Sequence, residues 1–437
     1  MTGAWWLLAA AALGAWLTPL LDALVSRWRP VRLANEPPID NERAPRVTVI
    51  FAARNEAERV EAAVHSLLRQ DIAGLEVVAV DDRSCDGTAE TLRRIARDDA
   101  RLRVLSVTDL PPGWLGKCYA LHLGAQLATG DYLLFTDADV RFAPTCLRRA
   151  LGLCERRGLD HLAAMPDMEL SGFWERNAIG TLSALIFLQT RVWRVGRPGA
   201  RAHVGIGAFN LMRTDAYRRC GGHAAIPMAV TDDMQLARQL KRTGARSDLA
   251  MAEGLVSVRW LGDRGSLAAS IEKNAYAHLR FHPFLAVGAA VTTLFVAWWP
   301  IVGLAVGTTA SRLTCAAAFA AMLAVGAWAS RTVGGPVLQG IAYPLGACST
   351  AYAILRSLWK VERRGAITWR DTEYRLRDLR AAVRRQATVG WVQPDAVAEP
   401  VRHASAPGAR RFAPPAPVPA ESRATPDPMS ACPSNEA

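Results

Sequence analysis

Two stretches of this sequence are too apolar to stay in water, and they decide where the rest can fold. Trp5 to Val25 is apolar apart from Asp22, and about twenty such residues suffice to cross a bilayer as a helix. Phe284 to Leu358 forms a second block, broken near Arg312 and Arg331 into candidate segments 284–307, 313–330 and 335–358. No Lys or Arg precedes the first stretch, whereas Arg27, Arg29 and Arg32 follow it. Cleavable signal peptides carry their charge in the opposite order. Residues 1–27 are therefore expected to be an uncleaved anchor with its C-terminal side in the cytoplasm. Lys360, Arg363, Arg364 and Arg370 place the segment after the second block in the cytoplasm by the same bias. Three full crossings in that block would strand those cations outside, so one of its segments is expected to be re-entrant or interfacial. The expectation is a multi-pass protein of a bacterial-type inner membrane. Residues 46–282 form a cytoplasmic domain, 283–359 the membrane block and 360–385 a cytoplasmic basic segment.

The net charge of +12 gathers beside the apolar segments and in the C-terminal third. Anionic lipid headgroups account for that placement, and no interleaved aromatic and basic motif points to nucleic acid. The eight cysteines, at 85, 118, 146, 154, 220, 315, 348 and 432, form no Cys-x-x-Cys pair and no zinc spacing with His. They are expected to be reduced, mostly structural thiols. Residues 386–437 are rich in Pro, Ala and Arg without periodicity. Such a composition cannot bury enough apolar surface to offset chain entropy, so this tail is expected to be disordered.

Within 46–282, Val47 to Ala52 reads as a central strand ending at Arg54-Asn55-Glu56, and Glu56 to Arg69 has helical spacing. The strand Leu75 to Val80 closes on Asp81-Asp82-Arg83-Ser84-Cys85-Asp86-Gly87-Thr88. A helix over 88–98, a strand over 103–107 and a helix over 118–128 follow. This alternation predicts βαβ units and a mostly parallel sheet flanked by helices. Gly130 to Val140 then carries a short buried strand, Tyr132 to Thr136, that ends in Asp137 and Asp139. Carboxylates at the mouth of a buried strand need a cation or a strong hydrogen-bond network. Ligands of open α/β sheets sit at that carboxyl edge. A hard divalent ion, Mg²⁺ or Mn²⁺, with phosphate oxygens completing its shell suits the residue types. Gly116 and Lys117, at a helix start, suit a diphosphate. Three such loops converge on one edge of the sheet.

The order of Asn55-Glu56, Asp81-Asp82-x-Ser-x-Asp-Gly-Thr88, Gly116-Lys117 and Thr136-Asp-Ala-Asp139 resembles family 2 glycosyltransferases of the A fold. The loop Pro-Pro-Gly-Trp-Leu-Gly-Lys117 resembles in particular the membrane enzymes that glycosylate hopanoids, carotenoids and ceramide. The resemblance implies an α/β nucleotide-sugar-binding domain plus transmembrane helices. Asn55, Glu56 and Lys117 would belong to the donor site. Asp82, or its neighbour Asp81, would accept from the base of a nucleotide-sugar, the uracil of a UDP-sugar. Asp137 would lie near the ribose or sugar, and Asp139 would hold the metal.

On the acceptor side the resemblance covers His203 to Arg213, where Gly205 and Gly207 let backbone approach the sugar. It also covers Ile226 to Asp233, from which Asp233, with Asp232 second, would act as general base. The implied activity is transfer of one sugar to a lipid with inversion. Many membrane members carry Gln-x-x-Arg-Trp. The nearest strings here, Val256-Ser-Val-Arg259-Trp260 and Ala277-His-Leu-Arg280-Phe281, both lack the Gln. That departure counts against the rival reading, a processive polysaccharide synthase. A non-catalytic scaffold that binds nucleotide-sugar is the other alternative, and Asp82, Asp139 and Asp233 together count against it. Glu272-Lys273-Asn274 and Arg280, just before the membrane block, would either meet the diphosphate or lipid headgroup or form a solvated interfacial helix face with snorkelling basic residues.

Overall fold

The computed structural model describes residues 2–259, 274–332, 334–370 and 372–388. Trp260, Glu272, Lys273 and the tail beyond 388 lie outside the described residues. The anchor is helix α1 (Thr2–Val25), followed by β1 (Val31–Arg32), β2 (Val47–Ala53), α2 (Val60–Leu68), β3 (Leu75–Asp82), α3 (Thr88–Asp98) and β4 (Leu102–Val107). Next come α4 (Gly116–Leu127), β5 (Tyr132–Asp137), β6 (Arg141–Phe142), α5 (Cys146–Arg157), β7 (His161–Met165), β8 (Asp167–Met168) and α6 (Gly172–Thr190). The domain closes with β9 (Asn210–Arg213), α7 (Thr214–Arg219), α8 (Asp232–Arg242), β10 (Ser247–Met251) and β11 (Val256–Val258).

Eight strands pair in the order β1-β10-β7-β9-β5-β2-β3-β4. All neighbours run parallel except β9, which lies antiparallel between β5 and β7. Strand periodicity sends alternate side chains to opposite faces, and here it fills two cores. Val49, Phe51, Val77, Ala79, Tyr132 and Leu134 pack with α2, α3 and α5. Ile50, Val78, Val80, Leu133 and Phe135 pack with α4 and α8 on the other side. Helix α2 begins at Val60 rather than at Glu56 for a local reason. The Glu56 and Ala57 amides donate to Thr88 Oγ1 (2.9 Å) and Asp86 Oδ2 (3.0 Å), which holds residues 54–59 as a loop over the strand ends.

Among the described residues three helices are long and apolar enough to cross a membrane: Ala4–Val25, Pro283–Val306 and Thr309–Arg331. The apolar segment 335–358 behaves differently. A 3₁₀ turn at Val337–Ala342 precedes a helix, Tyr343–Arg364, whose last turns carry Arg356, Lys360, Glu362, Arg363 and Arg364. That helix buries Ala347, Ala351 and Ile354 and exposes Tyr352, Leu355 and Trp359, an amphipathic profile. Asp22, the acidic exception in the anchor, accepts from Trp193 Nε1 (2.8 Å) and pairs with the Arg194 guanidinium. The one carboxylate of this apolar helix is thus matched by the loop after α6.

Beyond the last long helix the chain folds back as a hairpin, β12 (Ala366–Trp369) and β13 (Thr372–Arg375), and a helix, Leu376–Thr388. Ile367, Tyr374, Leu376 and Leu379 join the same core as Leu121, Leu236 and Leu240. Cys118, Cys146, Cys154, Cys220, Cys315 and Cys348 are free thiols.

Candidate active site

One cavity of about 550 Å³ opens at the carboxyl edge of the sheet. Its polar end is lined by Arg54, Glu56, Arg59, Asp82, Lys117, Asp137, Asp139, Asp232 and Asp233. Its other end is walled by Leu182 and Ile186 of α6, Ala289 and Thr293 of the helix Pro283–Val306, and Thr350 and Ile354 of the helix Tyr343–Arg364. Ionisable groups and side chains of a helix long and apolar enough to cross a membrane therefore share one space.

The strand ends set the polar groups. Asp82, last residue of β3, accepts from Arg83 Nε (2.7 Å) and Nη2 (3.2 Å), with Arg54 Nη1 3.9 Å away. Asp81 is buried and is not part of the cavity wall; its Oδ1 has no hydrogen-bond partner. Burial raises the Asp81 pKa despite hydrogen bonds from Ser84. Of the two candidates for reading a base, Asp82 is the one that faces the cavity. Asn55 does not line it. In a left-handed conformation (φ 54°), Asn55 donates its amide to Ser84 Oγ (3.1 Å) and accepts at Oδ1 from the Cys85 amide (2.9 Å). Its place is to lock two strand-end loops together.

Lys117 lies between Asp137 (2.8 Å) and Asp232 (3.3 Å). Burial disfavours its charge, but Asp137, Asp232 and Asp233 outweigh this and hold its pKa well above the ordinary lysine value. Asp139 is pushed up to about 6 by burial, then by Asp137 and Glu56, while Arg59 at 3.7 Å pulls it down. Asp232 and Asp233 open α8, and Asp233 Oδ1 accepts the Met234 amide (2.7 Å). Burial and the Asp232 charge raise the Asp233 pKa to about 7, against the pull of Lys117. Burial likewise raises Asp232, against the same ammonium.

Among the described residues no three His, Cys, Asp or Glu side chains converge to hold a metal by themselves. The chemistry of the set nevertheless fits one kind of ion. Asp139, with Asp137 and Glu56 beside it, concentrates negative charge at the cavity wall. A hard divalent cation takes one or two carboxylates and fills its shell with phosphate oxygens and water. A zinc-type cage of four protein ligands has no counterpart here.

The segment 203–209 threads between the two acidic groups. A Cβ on Gly207 would come within 2.8 Å of Asp137 Oδ2, and one on Gly205 within 2.0 Å of the Asp233 carbonyl oxygen. Gly205→Ala therefore forces the start of α8 to move. We expect it to cost about 1–3 kcal/mol of stability, as overpacked interiors do, and to lower turnover more than donor affinity; a thermal melt beside kcat and KM checks both. Sequence reasoning missed Arg54, Arg59 and Tyr374 as cavity residues; the family resemblance extended loosely to Gly365-Ala-Ile-Thr-Trp-Arg370 but gave Trp369 and Arg370 no role in a site. Arg54 and Arg59 flank the Asn55-Glu56 pair that was singled out, so proximity was the available signal.

Comparisons with known proteins agree with this architecture. The sequence profile described as Glycosyl transferase family 2 matches residues 48–221. A 4,4'-diaponeurosporenoate glycosyltransferase of Staphylococcus haemolyticus (strain JCSC1435) is 38% identical over 103 residues, 23% of this chain and 26% of that protein. The Staphylococcus aureus (strain USA300) protein of the same name is 30% identical over 182 residues, 40% of this chain and 46% of that protein. The match thus spans less than half the length of these curated relatives. Among solved structures, mannosyltransferase PcManGT from Pyrobaculum calidifontis, in complex with GDP-Man and Mn²⁺, aligns with a TM-score of 0.53 at 20% identity. That alignment covers 82% of this chain and 99% of the other. The mixed sheet with its acidic carboxyl edge thus shares the fold of that mannosyltransferase, and residues 48–221 are similar to glycosyl transferase family 2.

Proposed function

We propose that this protein is a membrane glycosyltransferase that moves one sugar from a nucleotide-sugar, in our reading a UDP-sugar, to a hydroxyl or carboxyl group on an apolar lipid, inverting the anomeric centre. The observation that carries this reading is one continuous cavity, carboxylate-rich at one end and walled at the other by α6, the apolar helix Pro283–Val306 and the helix Tyr343–Arg364. A water-soluble donor fits the first end and a lipid the second. The curated relatives are named for glycosylating 4,4'-diaponeurosporenoate, and PcManGT holds GDP-Man and Mn²⁺; both names are in keeping with the reading.

In this mechanism Asp82 receives the base of the donor, and Lys117 keeps Asp137 and Asp232 in place beside the sugar. A divalent ion, Mg²⁺ or Mn²⁺, held by Asp139 with diphosphate oxygens would stabilise the charge that builds on the departing nucleoside diphosphate. Asp233 takes the proton from the acceptor hydroxyl as its oxygen attacks the anomeric carbon. The new C–O bond forms as the bond to the diphosphate oxygen breaks on the opposite face. One displacement needs one base and inverts the centre. Gly205 and Gly207 let the backbone lie against the sugar.

The three apolar helices also offer a topology. With the start of α1 outside, α1 enters the cytoplasm, and the helices Pro283–Val306 and Thr309–Arg331 leave and return. Residues 46–282 and the cations from Lys360 to Arg370 then share the cytoplasmic side, with the helix Tyr343–Arg364 lying at the interface.

The test is to supply labelled UDP- and GDP-sugars with Mg²⁺ or Mn²⁺ to membranes containing the protein and to count the lipid extract. Label in the organic phase is the expected result; label only in insoluble polymer, or no donor consumed, overturns the reading. Ala289→Trp, which fills the apolar end, is expected to suppress transfer to lipid by about tenfold or more while leaving donor affinity unchanged, since bulk forced into a packed space costs 1–3 kcal/mol. Parallel lipid-extract counts and nucleotide titrations check it.

A further inference from the structure

The hairpin β12–β13 forms a wall of the cavity that the mechanism above leaves without a task. Trp369, Arg370 and Tyr374 all line the cavity, although they come from chain that follows the membrane helices. The Arg370 guanidinium pairs with the Glu56 carboxylate and donates to the Arg54 carbonyl. Arg54 Nη1 reaches Thr372 Oγ1 at 3.4 Å. The Tyr374 hydroxyl accepts the amide of Gly116 (3.1 Å), in the first turn of α4, and also meets Arg83. One short hairpin therefore touches the loops after β2 and β3 and the N-terminal end of α4.

Arg370 sits at the tip of the hairpin with φ 45°, a left-handed conformation that a tight turn reserves for Gly or Asn. Other arginines of this chain adopt the same conformation; what sets Arg370 apart from Arg27, Arg191 and Arg280 is that it lines the cavity. Its planar fork suits paired phosphate oxygens. It stands beside Glu56, one of the groups that raise Asp139, so its position is next to the carboxylates that a donor diphosphate must approach. With Arg54, Arg59 and Lys117 on the same wall, Arg370 adds positive charge that offsets the repulsion of those carboxylates for such an anion.

We propose that this hairpin is part of the donor site, with Arg370 binding the diphosphate of the nucleotide-sugar and Tyr374 closing the α4 end over it. The inference rests on the nucleotide-sugar reading given above. Full-length protein in lipid nanodiscs would be titrated with UDP, UMP, GDP and GMP in the presence of Mn²⁺, as wild type, Arg370→Gly, Arg370→Lys and Tyr374→Phe. Glycine accommodates the left-handed turn, so Arg370→Gly should keep its melting temperature. The same variant should bind the preferred diphosphate about tenfold to a hundredfold more weakly, the weight of a charged hydrogen-bonded pair. The monophosphate should be affected less, and Arg370→Lys should recover part of the loss. An unchanged diphosphate affinity in Arg370→Gly, or an equal fall for mono- and diphosphate with a lowered melting temperature, overturns the proposal and leaves the donor reading standing. If wild type binds none of the four nucleotides, the donor reading itself fails and this inference falls with it.

Discussion

Asparagine in place of Asp233 is expected to abolish transfer while leaving nucleotide binding intact. The side chain keeps its size and can still accept the Met234 amide at the start of α8, so the fold has no reason to change. What is lost is the site that accepts a proton, and general-base catalysis is worth about 10²–10⁴-fold in rate. The wild-type enzyme should also show a distinctive pH profile. Asp233 is raised to about 7 by burial and by Asp232. A base works only when deprotonated, so turnover should climb as pH rises through about 7 and level off above it. That rising limb should be missing from whatever activity Asp233→Asn retains. Turnover in Asp233→Asn equal to wild type would remove this carboxylate from the mechanism and leave Asp232, tied to Lys117 at 3.3 Å, as the alternative.

The second large effect is expected at Asp139. Asp139→Asn removes a carboxylate held near Arg59 and crowded by Asp137 and Glu56. In the variant, UDP and GDP should bind equally with Mn²⁺ and with chelator, whereas wild-type affinity should fall steeply when the ion is withdrawn. A charged hydrogen-bonding group is worth about 1.5–3 kcal/mol, so the metal-dependent gain should shrink by at least about tenfold. Isothermal titration with and without EDTA reads this directly. A metal dependence identical in the two proteins would mean that the ion is held elsewhere or not used.

Much of the domain was legible because it rests on local rules. The alternating residues of Val47 to Ala53 and Tyr132 to Asp137 carry their own face assignments, and strand-helix alternation dictates the parallel order. The carboxylates of the site stand at strand ends or a helix start, where position along the chain already implies position in space. The antiparallel β9 was not legible, since nothing in Asn210 to Arg213 distinguishes the direction of its neighbours. Nor was the start of α2, which depends on Asp86 and Thr88 from another loop reaching the amides of Ala57 and Glu56. Which of the three apolar segments of the second block departs from a long apolar helix was not legible either; it is 335–358, where Gly, Pro and the Arg-rich end divide the run into a 3₁₀ turn and an amphipathic helix. Arg370 and Tyr374 lie more than two hundred residues from the loops they touch, and such pairings are invisible to any local pattern.

The wall supplied by Trp369, Arg370 and Tyr374 also bears on how the protein is made. A ribosome delivers the carboxylate loops first, and the strands that carry them can collapse without waiting for the remainder. The hairpin emerges only after both long apolar helices of the second block. The acidic face of a newly made chain is therefore open on one side until the hairpin has returned to the sheet. On the membrane reading proposed above, completing the pocket would be tied to insertion, and a chain stalled before that point would hold its acidic residues in place yet lack the wall that closes their cavity.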